Sequence, residues 1–345
     1  MLGVRMGIDF GSANLTVFVE GKGVVLSEPS VMIRDASSGK VLAMGGAAKS
    51  MAGKLPPSLY AVSPIKEGVV NDAEAARLML SRYLDRICDG RLFRPSVLLC
   101  VPGTVTEIAK EALFETVTAA GAGRACFISE ALAAAIGAGV SLTEPKGACI
   151  CDIGGDITDI AVVTMGNPAG SCSVRVGGNV LTQAIADHVL RQYRVEIGAA
   201  EAERLKHTVG CAIPRENELA VTGCGKHVDT GLPVSFELTS TDAYGVLRPY
   251  LAQILAGLRQ VLEETSPELC ADLLDSGVIL TGGTANLYGI EMLISRATGL
   301  PVQKAEEPES CAARGIGKLL KNMKYLERNG YYFAAASGET EYEED

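Results

Sequence analysis

Apolar residues in this chain gather in short runs, each followed by a glycine turn or by a stretch of helical period. "GIDFGSANLTVFVEGKGVVL" reads as strand, turn and strand, with Gly11-Ser12-Ala13-Asn14 between two apolar runs. A less regular stretch follows from about Met32 to Pro64. In "DAEAARLMLSRYLDRI", Ala75, Leu78, Met79, Tyr83 and Ile87 recur at the spacing of one helical face. "SVLLCVP" predicts a buried strand closed by Pro102. "TEIAKEALFETVTAAGA" predicts an amphipathic helix, capped by Thr106 and ended by Gly121. "CFIS" and "EALAAAIGAG" continue as strand and helix, and "KGACICDIGGDITDIAVVTMG" as a strand–turn–strand hairpin. Helices are predicted for "VLTQAIADHVLRQY", "AEAERLKHTVG" and, longer, "RPYLAQILAGLRQVLEET". "SGVILTGGTANLYGIEMLISRATG" reads as strand, glycine turn and helix, and "PESCAARGIGKLLKNM" as a last helix. Strands alternating with helices predict an α/β architecture.

One form occurs twice. "GIDFGS" and "CDIGGD" both run apolar strand, Asp, apolar residue, Gly, small residue, then a second strand. Half a chain apart, the two suggest a duplicated fold with a ligand between the halves. Glycines bring backbone N–H groups close to an anion, and an Asp at a strand end can hold a hydrated Mg²⁺, which prefers oxygen ligands. Asp9 and Asp152 could thus face one metal from two sides, with Gly11–Asn14 and Gly154–Gly155 on phosphates. Either hairpin alone is equally an ordinary turn, where Asp and Gly are common. In "VILTGGTANLYGIEMLI" a third loop runs from a strand through Gly282-Gly283 into a helix, placing glycines against a flat ligand or its phosphate. It is neither a GxGxxG fingerprint nor a Walker loop.

Composition narrows the class. The 345 residues, 48 % hydrophobic and 21 % charged, suffice for a sizeable folded core. A net charge of −10 argues against a nucleic-acid partner and a polybasic membrane contact. Ten cysteines, several within apolar runs such as Cys100, Cys149 and Cys151, show no zinc spacing and read as buried reduced thiols. With neither a signal peptide nor an 18-residue apolar run in view, a cytoplasmic location is expected. The end, "GETEYEED", is acidic and is expected to be flexible.

The order "GIDFGSAN", "CDIGGDITD", "GVILTGGTANLYGIE" resembles the actin/sugar-kinase/DnaK-type ATPase superfamily. Within it, "GKGVVLSEPSV", "VSPIKEGVVND", "PSVLLCVPGTVTE", "SVRVGGNVLTQAI", "AERLKHTVGCA" and "CAARGIGKLL" resemble the MreB family of bacterial actin-like rod-shape proteins, over about residues 5 to 322. The resemblance implies two actin-like lobes, each with a large and a small subdomain, and ATP with Mg²⁺ in the cleft between them. Residues 1–32, 65–145 and 309–324 would form the large subdomain of lobe I and 33–64 its small one. Residues 146–180 and 245–308 would form the large subdomain of lobe II and 181–244 its small one, leaving 325–345 as the acidic tail. Gly11, Ser12, Ala13 and Asn14 would face the phosphates. Asp9 and Asp152 would face the metal through water. Gly154, Gly155 and Asp156 would form the second phosphate loop, with Gly177 and Gly178 close by. Glu203 and Lys206 would reach the adenosine, and Gly282, Gly283 and Thr284 would line base and ribose. Glu130 would orient the attacking water, with Thr158 beside it as the second candidate catalytic residue. Leu92 and Phe93 in "DGRLFRPSV" stand where the family carries an apolar pair that dips into the bilayer.

The chain departs from the family pattern Asp-x-Gly-Gly-Gly-Thr-Thr-Glu at three positions: Asp156 replaces the third glycine, Ile157 the first threonine and Asp159 the glutamate. Thr284 replaces a glycine of the adenosine loop, and Ser129 and Ala131 flank Glu130. A carboxylate a few ångströms from a γ-phosphate is repulsive unless offset. Three outcomes are open: Asp156 points away, it weakens ATP relative to ADP or slows hydrolysis, or it leaves a nucleotide-poor scaffold. The expected function is a membrane-associated, ATP-dependent filament protein with slow ATPase activity. It would be peripheral at the inner membrane face, with itself and cell-wall elongation proteins as partners. The alternative is a divergent paralogue that scaffolds or modulates filaments with weak or no hydrolysis. A kinase or chaperone of the superfamily fits the chain length less well.

Overall fold

The computed structural model describes residues 4–88 and 93–335. The chain opens with an antiparallel meander, β1 (Arg5–Phe10), β2 (Asn14–Val19) and β3 (Gly23–Pro29). The stretch without a clear period holds the short strands β4 (Met32–Asp35), β5 (Val41–Met44) and β6 (Leu59–Val62), with α1 (Gly45–Met51). Strands of four residues carry too little alternation to show as a period. A tight hairpin, β7 (Ile65–Lys66) and β8 (Val69–Val70), leads to α2 (Ala73–Cys88). Then come β9 (Ser96–Val101), α3 (Glu107–Ala119), β10 (Arg124–Ser129) and α4 (Glu130–Ala138). Thr106 caps α3 as the sequence predicts, its hydroxyl accepting from the Ala109 N–H.

The second half repeats the scheme. β11 (Ala148–Ile153), β12 (Thr158–Thr164) and β13 (Asn167–Val174) form another antiparallel meander. After α5 (Gly178–Tyr193) a small sheet of β14 (Val195–Glu196), β15 (Ala220–His227) and β16 (Pro233–Thr239) encloses α6 (Ala199–Val209) in sequence. Then follow α7 (Ser240–Glu264), α8 (Pro267–Ser276), β17 (Val278–Thr281), α9 (Ile290–Thr298), β18 (Val302–Lys304), α10 (Cys311–Leu320), α11 (Met323–Arg328) and β19 (Ala334–Ala335).

The two large sheets are built alike. In the first, β3-β2-β1 are antiparallel and β1-β9-β10 parallel; in the second, β13-β12-β11 are antiparallel and β11-β17-β18 parallel. The repeated Asp-x-Gly hairpin therefore occupies the same place in each sheet, as a duplication requires. The central strands are apolar on both faces because helices cover both sides: every residue of β11 is buried, and five of six in β9. Each sheet has its own core, and a third core joins them through α4 and α10. These two helices cross at glycines. A Cβ on Gly137 would lie 1.8 Å from the Cys311 carbonyl oxygen, and one on Gly315 would lie 1.7 Å from that of Ala133.

Three expectations are corrected. α7 begins eight residues before Arg248, at a Thr239–Asp242 capping box, and carries Pro249 inside it. Gly282 leads into a 3₁₀ turn over Gly283–Asn286 before α9, not straight into the helix. The tail expected from 325 does not start there: Tyr325 and Leu326 are buried in the inter-lobe core, and β19 pairs with β10. The acidity of the end masks this apolar pair; residues 336–345 lie outside the described residues.

Candidate functional site

The turns β1–β2 and β11–β12 face each other across a cleft of about 660 Å³ between the lobes. Buried strands deliver Asp9 and Asp152 to its floor, one from each lobe. The Gly11–Asn14 loop approaches the second loop so closely that a Cβ on Gly155 would lie 2.9 Å from the Ala13 Cβ. The third loop closes the same wall. Gly282 (φ 81°) passes the Ile153 backbone where a Cβ would come within 2.4 Å of the carbonyl oxygen, so only glycine fits. Thr284 Oγ1 donates to the Gly154 carbonyl at 3.1 Å, and Lys206 Nζ donates to the Gly178 carbonyl at 2.8 Å. Glu203 lines the cleft mouth and pairs with Lys49 of lobe I at 3.2 Å.

Of the residues the sequence points to, Asp9, Gly11–Asn14, Glu130, Asp152, Gly154–Asp156, Gly178, Glu203, Lys206 and Gly282–Thr284 line the cleft. Two stand behind it. Thr158 is fully buried and its hydroxyl donates to the Val176 carbonyl at 2.6 Å. Gly177 packs against the second loop, where a Cβ would lie 2.5 Å from the Gly155 oxygen. Thr158 therefore holds the loop's strand to the next turn and offers no free hydroxyl to the cleft. Phe93 is 47 % exposed, and Leu92 lies outside the described residues. Sequence reasoning passes over Asn179, whose backbone N–H donates to the Gly155 carbonyl at 2.7 Å, and Arg215, stacked 3.9 Å over the Tyr288 ring at the far end of the cleft. Asn179 follows the two glycines directly; Arg215 and Tyr288 carry no local signal.

Electrostatically the floor is short of positive charge. Burial pushes the Asp9 carboxyl up to about 6 and that of Asp152 up to about 7; the Thr281 hydroxyl, opposite Asp152 in the β11–β17 register, acts the other way. Glu130, at the first turn of α4, is raised well above the usual carboxylate range by burial and then by the charges of Asp9, Asp152 and Asp159. Asp159 is raised by burial too, although the Ser173 hydroxyl and Gly103 N–H donate to it. Carboxylates that converge at one cleft repel one another, and a bound cation would relieve that repulsion. No group of three or more Asp, Glu, His or Cys stands close enough to ligate a bare metal among the described residues. Two carboxylates of opposite lobes fit a hydrated divalent ion, which keeps most of its waters.

The MreB/Mbl protein family model matches residues 3–328. The chain belongs to the MreB/Mbl family. It is 38 % identical to the cell shape-determining protein Mbl of Bacillus subtilis, over 93 % of this chain and 97 % of that one. It is likewise 38 % identical to the cell shape-determining protein MreB of Escherichia coli, over 92 % and 93 %. The crystal structure of MreB5 of Spiroplasma citri bound to ADP superposes with a TM-score of 0.89 at 31 % identity, covering 95 % of this chain and 99 % of that one. Its AMPPNP-bound form gives 0.90 at 31 % identity, covering 96 % and 99 %. The MamK double helical filament, at 18 % identity and a TM-score of 0.78, shares the fold. The fold of this MreB/Mbl chain is thus actin-like, and the departures at Asp156 and Thr284 lie within an intact architecture of three loops.

Proposed function

We propose that this chain is an actin-like cytoskeletal protein that binds ATP or ADP in the inter-lobe cleft, assembles with copies of itself and helps determine cell shape. The observation that carries this reading is the convergence of three glycine loops and two opposed aspartates in one cleft, in a fold that superposes on nucleotide-bound MreB5. Backbone N–H groups of Gly11–Asn14 and Gly155 bind the phosphates, the Gly154 N–H donating instead to the Ile157 carbonyl, and Asp9 and Asp152 hold hydrated Mg²⁺, which neutralises phosphate charge when bound. Glu130, on the same floor, orients a water toward the terminal phosphate. Hydrolysis is slow and times disassembly. Phe93 offers an apolar contact to the inner membrane face; one or two such side chains per subunit give only a few kcal/mol, so adhesion builds up along a filament. Cell-wall elongation proteins are the partners such a filament would organise. The test is sedimentation of purified protein with Mg²⁺ and ATP, with and without anionic liposomes. The expected result is pelleting that needs nucleotide and increases with lipid; protein that stays in the supernatant under both conditions contradicts the proposal.

A further inference from the structure

Asp156 stands in the second phosphate loop, where a negative charge would oppose a phosphate. Its two oxygens are both engaged. Oδ2 accepts from the backbone N–H of Glu67 at 2.9 Å, and Oδ1 accepts from the Asn179 side-chain amide at 2.8 Å. Asn179 belongs to the first turn of α5 in lobe II, whereas Glu67 belongs to the β7–β8 hairpin of lobe I. One side chain thus bridges the lobes.

The lobe I partner is shaped for this contact. Glu67 and Gly68 form a two-residue hairpin loop with positive φ at both positions, 50° and 70°. A left-handed glutamate is strained, and strain of this kind persists only where surrounding contacts hold it. Here it aims the Glu67 N–H at Asp156. Neighbouring contacts follow the same line. Ile157, another departure from the family pattern, packs so closely that a Cβ on Gly68 would lie 3.0 Å from its Cδ1 and 2.3 Å from Pro102. Arg175 of lobe II pairs with the Glu67 carboxylate at 3.4 Å.

We infer that Asp156 is a positioning residue that latches the second phosphate loop of lobe II to the β7–β8 turn of lobe I, so that lobe closure in this chain depends on a side chain of its own as well as on the nucleotide. The effect on nucleotide choice rests on the nucleotide-binding reading above; the latch itself does not. A carboxylate held by donors from two elements has its charge partly satisfied by them. The loop then closes on a nucleotide with one inter-lobe contact already made, which lowers the ordering cost of closure.

The test compares Asp156→Gly, which restores the family's residue, with Asp156→Asn. Asparagine removes the charge but keeps an acceptor for the Glu67 N–H, and its amide can donate to Asn179 once that side chain flips. Hydrogen exchange of the Glu67 amide is measured first without nucleotide. Asp156→Gly is expected to exchange about tenfold faster there, the scale of one hydrogen bond, and Asp156→Asn, which keeps the acceptor, to stay nearer wild type. Equal exchange in all three proteins overturns the latch. Affinities for ADP and AMPPNP come next, by calorimetry. Asp156→Gly is expected to shift their ratio by about fivefold or more relative to Asp156→Asn, the size of a typical coupling between sites. Identical ratios in the two variants mean that charge alone matters and overturn the coupling. If wild type binds neither nucleotide, the nucleotide-binding reading fails while the exchange result still decides the latch.

Discussion

The two Asp-x-Gly loops occupy equivalent places in duplicated sheets, yet they are held differently. The first, Gly11 to Asn14, is anchored by backbone alone: the Ser30 N–H donates to the Ala13 carbonyl, and no side-chain hydrogen bond ties Ser12 or Asn14 among the described residues. The second is tied from several sides. Gly178 N–H and Thr284 Oγ1 donate to the Gly154 carbonyl, Asn179 N–H donates to that of Gly155, and Asp156 accepts from Glu67 and Asn179. Duplication thus preserves the strand geometry that delivers an aspartate and a glycine turn, and leaves the tethering of each turn free to diverge. In this chain the divergence sits at the positions where the family pattern is broken. Substitutions that look hostile to a phosphate are cross-links between loops.

The largest expected effect comes from crowding the wall behind the second loop, set against crowding the first loop itself. Gly282→Ala forces a Cβ into the Ile153 backbone at a φ of 81°, beneath the second loop, and is expected to cost about 3 kcal/mol or more. Gly11→Ala meets the Asn14 oxygen at 3.2 Å and the Asp9 Oδ1 at 3.7 Å and should cost under about 1 kcal/mol. Denaturant melts of the two variants check the difference; equal losses would show the wall behind the second loop to be no more confined than the first loop.

The aspartates come next. The folded value of Asp152 lies above its ordinary 3.8, at about 7, so the folded state favours the protonated form. Its contribution to stability is complete below about pH 4 and is lost as pH rises through 7. Asp152→Asn is therefore expected to raise the melting temperature of nucleotide-free protein at pH 8 by about 2–4 °C, a gain that fades toward pH 5, and to abolish any further rise on adding Mg²⁺ with ATP. Thermal melts across that range report both effects. A variant less stable than wild type at pH 8 would show that burial is not what raises this carboxyl.

Smaller effects refine the picture of tethering. Thr284→Gly, which restores the family's residue, removes the bond to Gly154 and should cost about 1–2 kcal/mol in an equilibrium melt. Lys49→Ala breaks the exposed pair with Glu203 at the cleft mouth and should change stability by less than about 0.5 kcal/mol. If that loss matched the one at Thr284, the exposed pair at the mouth would contribute as much as the tie between the second and third loops.

Much of the fold and the site is legible along the chain because the informative elements are local. The buried strands behind Asp9 and Asp152 announce themselves as apolar runs ending in Asp-x-Gly, and the capped helix at Thr106 carries its own start signal. The residue types and order of the three loops are enough to group them as one site. The partners of their departing residues are not legible in this way. Glu67 is 89 positions from Asp156, and Thr284 is 130 from Gly154; no periodicity connects them. The short strands of the small subdomain, the early start of α7 and the buried Tyr325–Leu326 pair are hidden for a related reason. Four-residue strands show no period, Pro249 mimics a helix start, and acidic residues at the end outweigh two apolar ones in any window.

The contrast between the loops turns on whether Asp156 admits a nucleotide, and calorimetric titration of wild-type protein with ATP and Mg²⁺, beside Asp156→Gly, decides it. Wild type is expected to bind one nucleotide per chain despite the carboxylate in its phosphate loop, because Glu67 and Asn179 hold that carboxylate. Wild type that binds no ATP while Asp156→Gly binds it would show Asp156 to be a barrier to the phosphate and not a tie between the lobes.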